Sequence, residues 1–243
     1  MTPFAQADTP ELDSRTLTPE QVTKNRKEWG IDLDAGTTLD RGNVKFTAGA
    51  GRLTVFRTIT RYTAYFDGNI SYASNNGSKF INRGAEMIRI DDRMDEHWRL
   101  FIFNANLYNE FWKLDARQTT GGGPWYDLKL GQLTMGLSLS AGYERESFQG
   151  FPTEKRARFG FRDLIAYPIS ATSKTGLDVL YSVAGDDLAN SHLVCAAFLE
   201  SDIIKDQLGL KLSYALNAES RPKPGILPSD SEIIASVALH LGN

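Results

Sequence analysis

One cysteine and three histidines in 243 residues leave no internal disulfide and little material for a metal centre. His97, His192 and His240 are scattered, without the intervals of a zinc site. No run approaches the roughly 18 consecutive apolar residues of a membrane-spanning helix. The net charge is −3 and the pI about 5.7, with no basic stripe of the kind that binds nucleic acid. Dinucleotide-binding glycine motifs, P-loops and GxSxG elbows are missing, and Gly121–Pro124 is too weak a motif to cradle phosphate. Ser191 and His192 are neighbours, and neighbouring strand residues point to opposite faces, so those two form no direct relay. A distant serine paired with His192 remains the one route to a hydrolase. No catalytic residue, cofactor or metal is therefore expected.

What the chain has is alternation. From Leu133 to Tyr143 the residues Leu133, Met135, Leu137, Leu139, Ala141 and Tyr143 fall on one face, and Thr134, Gly136, Ser138, Ser140 and Gly142 on the other. A two-residue period means a strand with one oily and one wet side. The mean hydropathy of −0.33 averages over those two sides and hides the first.

The same pattern recurs from Trp29 to the end of the chain. Trp29, Ile31, Leu33 and Ala35 open it, and Asp40–Asn43 reads as a turn. The second strand changes parity near Gly49–Gly51, as a β-bulge would cause. Phe101, Phe103, Ala105 and Leu107 share one side of the fifth, which follows a charged turn at Asp91–Glu96. The sixth, about Lys113 to Lys129, contains Gly121–Pro124, where a bend or bulge is expected. Six more strands end on Ile233, Ala235, Val237, Leu239 and Leu241.

About twelve strands result, many near the ~10 residues that cross a hydrocarbon layer at a tilt, where soluble sandwich strands stop at about six. Aromatics gather near strand ends at Trp29, Tyr72, Trp98, Tyr108, Trp112, Trp125, Tyr143 and Tyr167, as interfacial girdles do. The expected fold is all-β: a single antiparallel up-and-down transmembrane β-barrel over residues 28–243, preceded by a polar leader or linker segment, 1–27. Ala5-x-Ala7 in that leader reads either as the tail of a signal-peptide cleavage site or as a chance match in an alanine-containing stretch. Cys195 sits mid-strand as a small buried or lipid-facing filler.

Opposite the oily stripes fall Asp32, Asp34, Arg158, Arg162, Asp178, Lys211 and Glu219, which in a barrel of this kind point into the lumen. Both signs occur, so pairing across a narrow interior is expected, with a charge-selective channel as the alternative. A lipocalin-like soluble barrel around an apolar ligand would invert both faces.

The tail Leu210–Gly225, with Leu-Lys-Leu-Ser-Tyr at its start and a proline loop at its end, and the final strand Asp230–Leu239 resemble the closing hairpin of the DUF481 family. Glu28–Asn43 is similar to that family's opening strand and Gly-Asn turn. The resemblance implies a bacterial outer-membrane protein of the YdiY-like, salt-induced group. The expected partners are the lipid bilayer with its lipopolysaccharide and the outer-membrane assembly machinery, with small solutes as candidate cargo, and the barrel is expected to be a monomer. The resemblance implies no reaction. Two features depart from the family: the chain closes on Leu239-His-Leu-Gly-Asn243 rather than an aromatic, and Gly121–Pro124 has an inserted look. Either Leu241 stands in for the aromatic or the insertion route differs.

Overall fold

The computed structural model describes residues 29–37, 46–75, 78–110, 112–204, 207–224, 226 and 228–242. Within them run twelve strands: β1 (Trp29–Thr37), β2 (Phe46–Ile59), β3 (Tyr62–Asn75), β4 (Ser78–Arg93), β5 (Trp98–Asn109), β6 (Leu114–Leu130), β7 (Leu133–Phe148), β8 (Glu154–Pro168), β9 (Ser173–Ala184), β10 (Ser191–Ile204), β11 (Leu208–Glu219) and β12 (Ser229–Gly242). Each pairs antiparallel with the next, and β1 pairs with β12, from Gly30 opposite Gly242 to Thr37 opposite Ala235. The sheet is thus a closed up-and-down barrel, and closure satisfies the backbone groups an edge would leave bare. The expected leader 1–27 and the 40–43 turn lie outside the described residues.

An even strand count returns the start of β1 and the end of β12, the two ends of the described chain, to one rim. The connections at that rim, 60–61, 94–97, 131–132, 169–172 and 205–207, are all short. Those at the far rim, 38–45, 76–77, 110–113, 149–153, 185–190 and 220–228, include all the longer ones. This asymmetry is what barrels of the outer-membrane type show.

The strand period sets which side chains leave the wall. Ile70, Ile102 and Leu139, on three different strands, are 66%, 62% and 60% exposed, and the outward face is apolar around most of the circumference. Trp29, Tyr62, Trp98 and Tyr167 stand exposed near the rim of the chain ends, and Tyr72, Tyr108 and Tyr143 toward the other. Tyr62 to Tyr72 and Trp98 to Tyr108 each span ten residues of strand. At about 3.3 Å per residue and a tilt of about 40°, that is a height of about 25 Å.

Several local expectations give way. Trp112 and Trp125 are buried, so they belong to no girdle. On β5 the face with Phe101, Phe103, Ala105 and Leu107 turns inward, while Trp98, Leu100 and Ile102 face out. Asp91 belongs to β4 and is buried, and the turn is 94–97. β2 keeps one register with β3 from end to end, so no bulge sits at Gly49–Gly51.

β6 runs unbroken through Gly121–Pro124, and its register shift falls between Leu114 and Ala116. The glycines answer a different need, close backbone approach. An added Cβ at Gly121 would lie 2.7 Å from the Ala141 carbonyl oxygen, and at Gly122 and Gly123 it would press still closer on those of Phe101 and Leu139.

Candidate functional site

The inward positions carry charge in opposite pairs. On β6, Trp125 is 1% exposed and lies under three guanidinium groups, with Arg89, Arg99 and Arg162 at 4.9, 5.5 and 5.9 Å from its ring centre. Its indole N–H donates to Asp127 Oδ1 at 2.8 Å. Asp127 also receives Arg99 Nε at 2.8 Å, and Arg89 Nε donates to Asp91 Oδ1 at 2.6 Å. Arg162 holds Asp178 with Nε at 2.9 Å and Nη2 at 2.6 Å. β4, β5, β6, β8 and β9 therefore meet around one indole, and Phe101 and Leu164 pack on it. On β3, Asp67, wholly buried, accepts from Arg52 Nη2 at 2.5 Å and from Thr54 Oγ1 at 2.6 Å.

A second cluster lies toward the far rim. Arg117 on β6 is paired with Glu146 on β7 and donates through Nη2 to Glu219 Oε1 at 2.6 Å. Because β6 and β11 share no edge in the sheet, this bond crosses the interior. Arg158 Nε donates to Glu144 Oε1 at 2.8 Å. His192 lies opposite Ser182 on one side and Glu219 on the other, and its Nε2 is turned to that carboxylate at 3.7 Å. Above them Trp112, Leu114 and Phe148 form an apolar knot against which Ile226, from the 220–228 connection, packs.

The third group lies near the rim of the chain ends. His240 Nδ1 is 2.7 Å from Asp32 Oδ1, and its Nε2 is 3.3 Å from Glu200 Oε1. Glu200 also holds Lys174 at 3.0 Å, and Lys211 lies 3.5 Å from Asp34. His240 is therefore an inward ion-pairing residue and not a surface one, whereas His97 is exposed in its turn. Among the described residues no three His, Cys, Asp or Glu side chains are placed to hold a metal ion.

The structure places Arg158, Arg162 and Asp178 in the buried interior, and Asp32, Asp34, Lys211 and Glu219 half-buried on the same inner side, each with an opposite charge in reach. It does not bring all seven together, since they divide among the three clusters. Sequence reading missed more than it found: Arg52, Asp67, Arg89, Asp91, Arg99, Asp127, Arg117, Glu144, Glu146 and Glu200 are also inside. Parity carried the signal on β4, where Arg89 and Asp91 alternate with the exposed Ile88 and Ile90.

Two of the spaces that the clusters border are small. One chamber, bordered by Asp32, Arg52, Asp178, Glu200 and Lys211, holds about 90 Å³, and one beside Arg158 and His192 about 40 Å³. A water needs about 10–15 Å³ measured this way, so each takes a few waters and no bulky solute. Desolvating so many ions costs about as much as their pairing returns, so such networks fix geometry more than they add stability.

The family described as "Protein of unknown function, DUF481" matches residues 33–240. No curated protein sequence matches the chain. Among solved structures, the NanC porin superposes with a TM-score of 0.53 at 11% identity, over 88% of this chain and 99% of its own. The KdgM porin gives 0.48 at 10% identity, over 86% and 98%. The translocator domain of the autotransporter NalP from Neisseria meningitidis gives 0.43 at 12%, over 90% of both. At these identities the likeness to the NanC porin is one of fold.

Proposed function

The chain belongs to the DUF481 family, and we propose that it is an outer-membrane β-barrel whose ion-paired interior serves a structural role, or at most passes water and small ions. The observation that carries this is the outer wall. Leu139, Ile102 and Ile70 project outward between two aromatic belts, around a closed sheet. In water an apolar surface of that extent would drive aggregation, whereas acyl chains solvate it at no cost. The soluble-carrier alternative needs these faces exchanged, with leucines inside and arginines outside.

Two features favour the sealed state over a wide pore. Arg117 and Glu219 bridge non-adjacent strands, and Trp125 fills the lumen between three arginines. A wide channel would leave these side chains against the walls with water between them. A non-enzymatic role fits His192, whose Nε2 is directed at the Glu219 carboxylate. On this reading the barrel works as a monomer, and its partners are the bilayer with its lipopolysaccharide and the assembly machinery.

Planar-bilayer recording on refolded protein tests the proposal. Insertion without stepwise current supports the sealed barrel, and small uniform steps support the narrow pore. A protein that stays folded and monomeric in plain buffer would overturn both.

A further inference from the structure

The connection between β11 and β12 does not stay over its own hairpin. Ile226, from 220–228, packs on the buried Trp112, Leu114 and Phe148, which belong to the 110–113 connection, β6 and β7. Around the ring, β6 and β7 lie four to six places from β11 and β12, and six is the farthest that twelve strands allow. A loop that leaves one wall and seats on the wall opposite must cross the mouth between them. Lys223 of the same connection is ion-paired with Glu154 at the start of β8, and its Nζ lies 5.5 Å from the centre of the Phe148 ring.

The two ends of this span are held differently. At its base, Glu219 N–H donates to the Pro228 carbonyl at 2.8 Å and Ser220 N–H to that of Ser191 at 2.9 Å. The Ser220 hydroxyl donates to the Ala189 carbonyl at 2.6 Å and accepts Ser191 N–H at 2.7 Å, and Arg221 pairs with Asp187 of the neighbouring 185–190 connection. The base is thus fastened to the rim by backbone and side chains together. The tip meets the opposite wall through one ion pair and one apolar side chain among the described residues. A partly exposed ion pair contributes little, because water and salt screen it. Pro222 and Pro224 fix φ at about −65° on both sides of Lys223, so the tip lifts as a unit. Beneath it, Glu219, Arg117, Glu146, Arg156, Glu154 and Lys223 each meet the next with opposite charge, which joins the seat of the tip to the pairs that cross the interior.

We propose that the 220–228 connection is a strap, hinged at the β11–β12 rim, that closes the far mouth, and that lifting its tip from Glu154 and from the Trp112–Leu114–Phe148 knot admits water and small ions to the interior. This rests on the ion-paired barrel proposed above and adds how access to it is regulated. Lifting leaves the sheet intact, since the β11–β12 ladder begins at Ala218 opposite Ser229, outside the strap.

The test is iodide quenching of tryptophan emission from the full chain folded in micelles, with Trp29→Phe and Trp98→Phe removing the two exposed indoles. Trp112 and Trp125 then remain, 5% and 1% exposed, the first under the strap and the second deep inside as a shielded standard. This parent is expected to show almost no quenchable emission. Ile226→Asp should raise the quenchable share about tenfold, the order of one isoleucine losing its seat. Lys223→Met should raise it less, and Lys223→Arg, which keeps the pair, should hold it at the parent's level. Gel mobility that still shifts on heating marks a folded barrel in each case, and should Ile226→Asp fail to fold, the comparison of Lys223→Met with Lys223→Arg decides. Ready quenching in the parent, no gain in Ile226→Asp and Lys223→Met, or equal gain in Lys223→Met and Lys223→Arg would each overturn the strap. Large steady currents from the parent in bilayers would instead strike the sealed interior on which it rests.

Discussion

Arg117 on β6 donates to Glu219 on β11 at 2.6 Å, joining two strands that share no hydrogen bond in the sheet. The same guanidinium pairs with Glu146, so one cation serves a buried carboxylate and a half-buried one. Arg117→Met leaves Glu146 only Arg156 at 4.0 Å and Glu219 only His192 at 3.7 Å, and is expected to cost about 3 kcal/mol, read as a lower urea midpoint in micelles. Replacing Arg117, Glu146 and Glu219 together by apolar residues of similar volume should recover most of that loss, because no orphaned charge remains.

Trp125 fills the interior under Arg89, Arg99 and Arg162. Trp125→Ala removes a fully buried ring and is expected to cost about 3–5 kcal/mol. It also removes the ring that lies among these arginines inside the barrel, so single-channel recording should show current where the parent protein shows less or none. A destabilised variant that conducts no better would mean that another cluster, such as Arg117–Glu219, holds the seal.

Ile102 is 62% exposed midway between Trp98 and Tyr108. Ile102→Arg should cost about 2–4 kcal/mol in phospholipid vesicles, the depth-dependent penalty of a cation facing lipid. Equilibrium unfolding in vesicles measures it, and a neutral effect would mean that this face meets water.

In the 94–97 turn the Asp95 carboxylate accepts the backbone N–H groups of His97 and Trp98 at 2.7 and 2.8 Å. These hydrogen bonds hold its carboxyl below the usual carboxylate range, with Trp98 the larger cause. Its contribution is thus complete above the unfolded carboxylate's value and is lost as pH falls through the lowered folded one. Hydrogen exchange at the His97 and Trp98 amides should lose protection in that acid window, and Asp95→Ala should abolish the pH dependence.

The barrel was legible because period-two patterning is a backbone property: strand number and closure followed from alternation and spacing alone. The interior was legible only where the wet face was plainly charged, as at Arg158 and Arg162 on β8. It failed on β5, where Phe101, Phe103, Ala105 and Leu107 formed an oily face as convincing as any lipid-facing one yet pack inward with Met87 and Trp125. A narrow lumen tolerates apolar fill beside its ion pairs; Asn104 and Asn106 on the outward face reinforced the wrong parity, whereas Leu100 and Ile102 beside them were the local clue. Likewise Trp125 looks like a girdle residue until its neighbours are known, since three of the arginines that surround it come from other strands. The glycines of β6 suggested a bend because sequence cannot reveal how near Ala141 and Leu139 pass.

Cys195 allows the most direct measurement, as the chain's one thiol, outward on β10 and opposite Val179 and Leu216. A nitroxide attached there and reconstituted into liposomes should be broadened strongly by dissolved oxygen and weakly by a water-soluble nickel chelate, because lipid surrounds it. Stronger broadening by the chelate would put bulk water against the apolar wall and contradict the membrane barrel.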